Sequence, residues 1–141
     1  KEYDYRGGIG MWLNENANKD DRLFLEPAGY IPYYSGLYTY DEVGLVTPQV
    51  ITYRKAYNLR WWPEFVSDFK PEWIVQRAQI TEYKTYQGYQ LTAEEKEMFQ
   101  QDYQPVAHFT FEPSNYTNSP FLTRLLTLGE ADDYYVFHIV R

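Results

Sequence analysis

Residues 22–49 read RLFLEPAGYIPYYSGLYTYDEVGLVTPQ, and the order of elements in this stretch decides the fold. Arg22-Leu23-Phe24-Leu25-Glu26 is a short apolar run stopped by Pro27, the mark of a buried strand. Ala28 to Ser35 fits a brief helix or tight turn, closed by Gly36. Tyr38-Thr39-Tyr40-Asp41 follows as a second strand. Thr47-Pro48 opens a helix, with a hydroxyl at the cap and a proline where its missing N–H is no loss. Strands separated by helical pieces favour parallel pairing through right-handed crossovers.

Working outward, Ile9, Trp12, Leu13 and Ala17 fall at helical spacing ahead of the first strand. After it, Val50, Ile51 and Tyr53 continue the helix begun at Pro48. A further helix is expected from about Pro63, carrying Phe65, Val66 and Phe69 and broken by Lys70-Pro71-Glu72. Trp73-Ile74-Val75-Gln76 reads as a third strand, and Arg77 to Gln90 as an irregular excursion. Thr92-Ala93-Glu94-Glu95 is a capping box that opens a helix to about Asp102. Val106 to Glu112 and Tyr134 to Arg141 are rich in β-branched and aromatic residues, as strands are. Ser119-Pro120 starts one more short helix, closed by Gly129. The expectation is one α/β domain over residues 1–141: a three-layer, Rossmann-like or flavodoxin-like sandwich. Its sheet is expected to be mostly parallel, with the last two strands forming an antiparallel edge.

A chain of 141 residues fits one domain able to bury a core without metal or disulfide. Its net charge of −7, with 13 basic against 20 acidic residues and no basic run, argues against nucleic acid as a partner. The same charge disfavours binding to anionic lipid headgroups. The absence of cysteine excludes disulfides, cysteine–zinc sites and thiol catalysis. Aromatic content is 20%, with 16 tyrosines, whose apolar body and polar tip suit core edges and wet recognition surfaces alike. No stretch approaches the roughly 20 apolar residues that span a bilayer. The chain opens at Lys1-Glu2-Tyr3 without an initiator Met, as expected of a piece of something longer.

No self-sufficient catalytic motif is present, and no cofactor is expected. Tyr5-Arg6-Gly7-Gly8-Ile9-Gly10 places three glycines before a helix, but a dinucleotide fingerprint must follow a strand and the Walker pattern needs a Gly-Lys-Ser/Thr ending. His108 and His138 lie in the two C-terminal strands, where neighbouring strands would set them side by side; without a third ligand at a fixed spacing, no metal site is assigned. Glu26 and Asp41 each end a strand, and open α/β sheets bind ligands beyond the carboxyl ends of their strands. Such a pair suits acid/base work, a cation or sugar hydroxyls, although acids at strand ends also cap turns. Tyr30, Tyr33, Tyr34, Tyr38, Tyr40 and Trp61-Trp62 could present flat faces to sugar rings, with about half of them expected in the core. Asn115-Tyr116-Thr117 is a glycosylation acceptor pattern.

The run MWLNENANKDDRLFLEPAGYIPYYSGLYTYDEVGLVTPQV resembles the soluble C-terminal region of multi-spanning, polyprenyl-phosphate-sugar-dependent glycosyltransferases of the mannosyl- and arabinosyltransferase type. The resemblance rests on Trp12-Leu13, Ala28-Gly29-Tyr30-Ile31, Tyr33-Tyr34-Ser35-Gly36, and Asp41 with Gly44-Leu45. Phe69-Lys70-Pro71-Glu72-Trp73-Ile74-Val75 resembles a K-P-D-Y-I-V strand of that region, and Tyr134-Tyr135-Val136-Phe137 its closing strand. Residues 77–133 match no pattern of the group. The resemblance implies an extracytoplasmic domain anchored by upstream transmembrane helices, with the catalytic carboxylate in a loop among those helices. No catalytic residue is therefore carried onto this chain. Glu26, Tyr30, Tyr34 and Asp41 stand as ligand-binding candidates for a glycan or lipid-linked sugar acceptor. Two other readings stay open: a small glycan- or phosphoester-acting enzyme using Glu26 and Asp41, and a protein–protein interaction module.

Overall fold

The computed structural model describes residues 2–26, 28–82, 88–115, 117–122 and 133–140. After a π-helical turn at Glu2–Arg6 come α1 (Gly7–Asn16), β1 (Arg22–Leu25), α2 (Tyr30–Ser35) and β2 (Tyr38–Asp41). Next are α3 (Pro48–Tyr57), α4 (Trp61–Phe69), β3 (Trp73–Gln76), α5 (Ala93–Asp102), β4 (Tyr103–Phe109) and β5 (Tyr134–Ile139). The five strands form one sheet in the order β2-β1-β3-β5-β4.

Alternation along the strands divides the core in two. Leu23 and Leu25 of β1, Trp73 and Val75 of β3, and Tyr134 and Val136 of β5 pack on one face with Ile9, Leu13 and Ile31 from α1 and α2. Phe24, Ile74 and Phe137 point to the other face and meet Val50, Trp61, Trp62, Phe65 and Phe99 from α3, α4 and α5. Because helices cover both faces, β1 and β3 read as continuous apolar runs rather than alternating ones. Trp61 and Trp62 are both fully buried, which removes that pair from the recognition surface.

The sheet corrects the expected fold class. It is mixed: β1 pairs parallel with β2 and β3, but β5 pairs antiparallel with both β3 and β4. Half of the pairings are thus antiparallel, and the molecule is not the mostly parallel, Rossmann-like or flavodoxin-like sandwich that the helix–strand order suggested. The cause is the last strand. It does not extend an edge but enters between β3 and β4, tied by Trp73↔His138 and Ile74↔Phe137 on one side and His108↔Tyr135 on the other. Nothing in a linear alternation of elements specifies such an insertion.

Local signals explain most boundaries. Thr92 accepts from the Glu95 N–H at 3.2 Å while Glu95 Oε2 accepts from the Thr92 N–H at 2.9 Å, so the capping box forms as its residues require. Gly36 ends α2 in the left-handed conformation at φ 68°, which glycine adopts at no steric cost. Strand β4 begins three residues before the expected Val106. Its outer side is a sheet edge, which accommodates Pro105, and the ladder bulges between Pro105 and Ala107. Thr47 does not cap α3: its hydroxyl accepts from the Asp41 N–H at 2.9 Å and donates to the Thr39 carbonyl at 3.3 Å. The helix expected at Ser119–Gly129 lies mostly outside the described residues.

Candidate functional site

The chain leaves β1 towards β2 and returns on the other side of β1 as β3, so the strand order reverses between β1 and β3. In open α/β sheets the crevice beyond such a reversal is where ligands bind. Glu26, just past β1, lies half-buried with its Oε2 3.8 Å from Arg77 Nε, just past β3. Under this pair sits Tyr134, the first residue of β5, wholly buried. The guanidiniums of Arg77 and Arg6 lie over its ring, 5.8 and 5.7 Å from the centroid. Burial pushes the Tyr134 phenol up, against the lowering pull of Arg6 and Arg77. The antiparallel insertion of β5 delivers this tyrosine and the parallel β1–β3 pairing delivers Arg77; both are long-range, so sequence reasoning, which named only Glu26 here, missed Tyr134, Arg77 and Arg6.

Four residues beyond Glu26, α2 begins and carries the tyrosines. The Tyr30 and Tyr34 rings are stacked, with centroids 6.3 Å apart and planes inclined by 7°. Tyr33 is 78% exposed and meets Tyr34 edge-on at 5.0 Å. The platform is held by close helix packing. A Cβ on Gly10 would lie 2.7 Å from the Ile31 carbonyl oxygen and 2.8 Å from Tyr34 Cβ, so α1 approaches α2 only because residue 10 is glycine. A Cβ on Gly7 would rest 3.5 Å from the Tyr34 ring. The glycines that invited a phosphate-loop reading lie inside α1, and Gly7 and Gly10 serve this packing.

Asp41 does other work. It is fully buried, and its carboxylate accepts the N–H groups of Val43 (3.1 Å), Leu45 and Val46 (3.2 Å), which closes the turn through Gly44. That turn needs Gly44 at φ 85°. With its lone pairs engaged by three backbone donors, Asp41 is not presented to a ligand, and Glu26 has no second carboxylate for acid/base chemistry from this residue. The alternation of apolar and polar residues could not distinguish a strand-end acid that faces a crevice from one that closes its own turn.

His108 and His138 are on adjacent strands but at separate rungs. His108 stacks on Tyr135 at 4.2 Å and contacts Asp133 through Nε2 at 3.3 Å, whereas His138 lies against Trp73 at 4.3 Å. Among the described residues no group of three or more His, Asp or Glu is placed to hold a metal ion. Nor, among them, is any helix long and apolar enough to cross a membrane. Tyr116 of the glycosylation pattern lies outside the described residues.

The fold and site define a mixed α/β domain that carries a carboxylate and two guanidiniums near the carboxyl ends of β1 and β3, followed in α2 by a stacked tyrosine pair. The chain belongs to the family described as Domain of unknown function (DUF8728), whose model matches residues 1–137. No curated protein and no solved structure matches it. The family description states no activity, so function is argued from the site.

Proposed function

We propose that this chain is a non-catalytic glycan-binding domain that positions an acceptor for a glycosyltransferase-like membrane protein, on the extracytoplasmic face of the membrane. The observation that carries the recognition half of this reading is the Tyr30–Tyr34 platform, which starts four residues after the Glu26–Arg77 pair. Parallel aromatic faces pack against the apolar face of a sugar ring while a carboxylate and a guanidinium exchange hydrogen bonds with its hydroxyls. The membrane-protein half is supported by the sequence resemblance alone. A three-donor clamp on Asp41 weighs against the two-carboxylate enzyme, because it leaves Glu26 as a binding group.

The experiment is a binding titration of neutral oligosaccharides against the chain and its Tyr30→Ala and Glu26→Gln variants, with thermal midpoints recorded in parallel. Both side chains are partly exposed, so the substitutions are expected to weaken binding about tenfold with midpoints nearly unchanged. Binding unaffected by either change would refute the assignment of the rim. Turnover of glycoside or phosphoester substrates by the purified domain would replace it with the enzyme reading. An immunoblot of fractionated cells addresses the second half: a membrane-pool band well above 16.9 kDa is expected, and a soluble band near that mass would contradict it.

A further inference from the structure

A second surface lies where α1 runs past the end of β4. It is an open groove of about 520 Å³ with Tyr5, Gly8, Met11 and Trp12 on the helix side and Phe109 and Thr110 on the strand side. Asp4 and Glu15 line it too, eleven residues apart in sequence, and among the described residues no lysine, arginine or histidine lines it. Neither carboxylate has an ion-pair or hydrogen-bond partner among the described residues. Trp12 is held edge-on between Phe109 at 5.9 Å and Trp73 at 6.0 Å, so its position is fixed before anything binds. Met11 is 49% exposed, and a Cβ on Gly8 would meet nothing within 4 Å, so that glycine leaves the floor open.

We infer that this groove binds a cationic peptide segment, extended along α1, with a lysine or arginine at each end and aliphatic stems across Met11 and Trp12. The charge pattern selects the class: two carboxylates with no partner among the described residues line an apolar floor on a chain of net charge −7, which repels an anion and favours a cation near each acid. Lysine and arginine suit the floor as well as the ends, because their methylene stems lie on apolar surface while the charged head stays in water. A tryptophan face adds cation–π attraction. Spacing agrees too. Eleven residues of helix separate Asp4 and Glu15 by roughly 16 Å, the span of about five residues of extended peptide. The groove shares no lining residue with the glycan rim, although the Tyr5 ring on its wall lies 6.0 Å from that of Tyr134, and the inference does not depend on the glycan reading.

The test uses the 141-residue chain and a short synthetic peptide of extended propensity with two lysines about five residues apart. Binding is followed by titration calorimetry and by amide shifts in α1. The peptide should bind, and replacing both lysines by glutamine should weaken binding at least about tenfold. The double variant Asp4→Asn, Glu15→Gln should lose affinity by a similar factor, and raised salt should reduce it. Gly8→Leu, which fills the floor, should block binding; if that variant fails to fold, the double variant at the exposed carboxylates still decides. No binding, equal binding of the glutamine peptide, or affinity unchanged in the double variant would overturn the inference. Self-association that perturbs the groove without peptide would assign it to a second copy and overturn it equally.

Discussion

Gly8 and Gly10 lie on opposite sides of the first turn of α1 and offer a matched test of how the tyrosine platform is held. Alanine at position 8 meets open space, so Gly8→Ala only reduces the freedom of the unfolded chain and should stabilise by about 0.5–1 kcal/mol. Alanine at position 10 would bring its Cβ to 2.7 Å from the Ile31 carbonyl oxygen, where ordinary contact begins near 3.4 Å, so α1 and α2 must part by roughly 0.7 Å. Forcing a methyl into a packed interface of this kind costs about 1–3 kcal/mol. The gain from the unfolded chain is common to both variants, so they should differ by the packing cost alone, about 1–3 kcal/mol, or about 3–12 °C in midpoint for a domain of this size. Urea unfolding followed by tryptophan fluorescence measures the difference directly. Equal midpoints, or a more stable Gly10→Ala, would refute the account of α1–α2 packing and with it the positioning of Tyr34.

Other side chains carry measurable consequences as well. Asp41→Ala removes a buried carboxylate that accepts from three part-buried N–H groups in the Gly44 turn, and should cost about 1–3 kcal/mol in chemical denaturation; no measurable loss would show the clamp to be dispensable. Burial alone would push the Glu72 carboxyl up, but hydrogen bonds from the Arg22 side chain and backbone prevail and hold it at about 2, against 4.5 when unperturbed. The folded state thus binds fewer protons, so this stabilisation is complete above pH 4.5 and is lost as pH falls towards 2. The full shift corresponds to about 3 kcal/mol, reduced by screening because Arg22 is 34% exposed. Acid unfolding should lose this component in Glu72→Gln, and an unchanged acid limb would contradict it. Thr92→Ala removes one half of the capping box and should cost about 1 kcal/mol. Glu95→Ala should cost more, because Glu95 also accepts from Tyr89 at 2.8 Å and from Arg60 at 3.1 Å; the reverse order in urea melts would refute this ranking.

Much of the fold was legible because its elements obey local rules. Strands β1, β2 and β3 announce themselves as short apolar or aromatic runs between breakers, and α5 opens on a capping box whose two hydrogen bonds both form. The sheet was not legible in the same way. Whether Tyr134–Ile139 borders the sheet or enters it depends on long-range pairing with Trp73 to Gln76, which has no local signature. The same long-range step hides the site. Glu26 and Tyr30 could be named from their place after β1, yet Arg77 joins them only through the β1–β3 pairing and Tyr134 only once β5 is inserted. Asp41 shows the opposite limit, since its strand-end position is compatible with a crevice and with a turn, and only the three donors of residues 43, 45 and 46 decide between them.

The central claim is that the rim at Glu26, Tyr30 and Tyr34 binds glycan. Its most direct test is a heteronuclear NMR titration of the labelled chain with a panel of neutral oligosaccharides. The account predicts saturable shifts confined to the amides around Glu26, Tyr30, Tyr34 and Arg77, with the groove at Trp12 unaffected. Silence across the panel at millimolar concentration, or saturable shifts centred elsewhere, would contradict it.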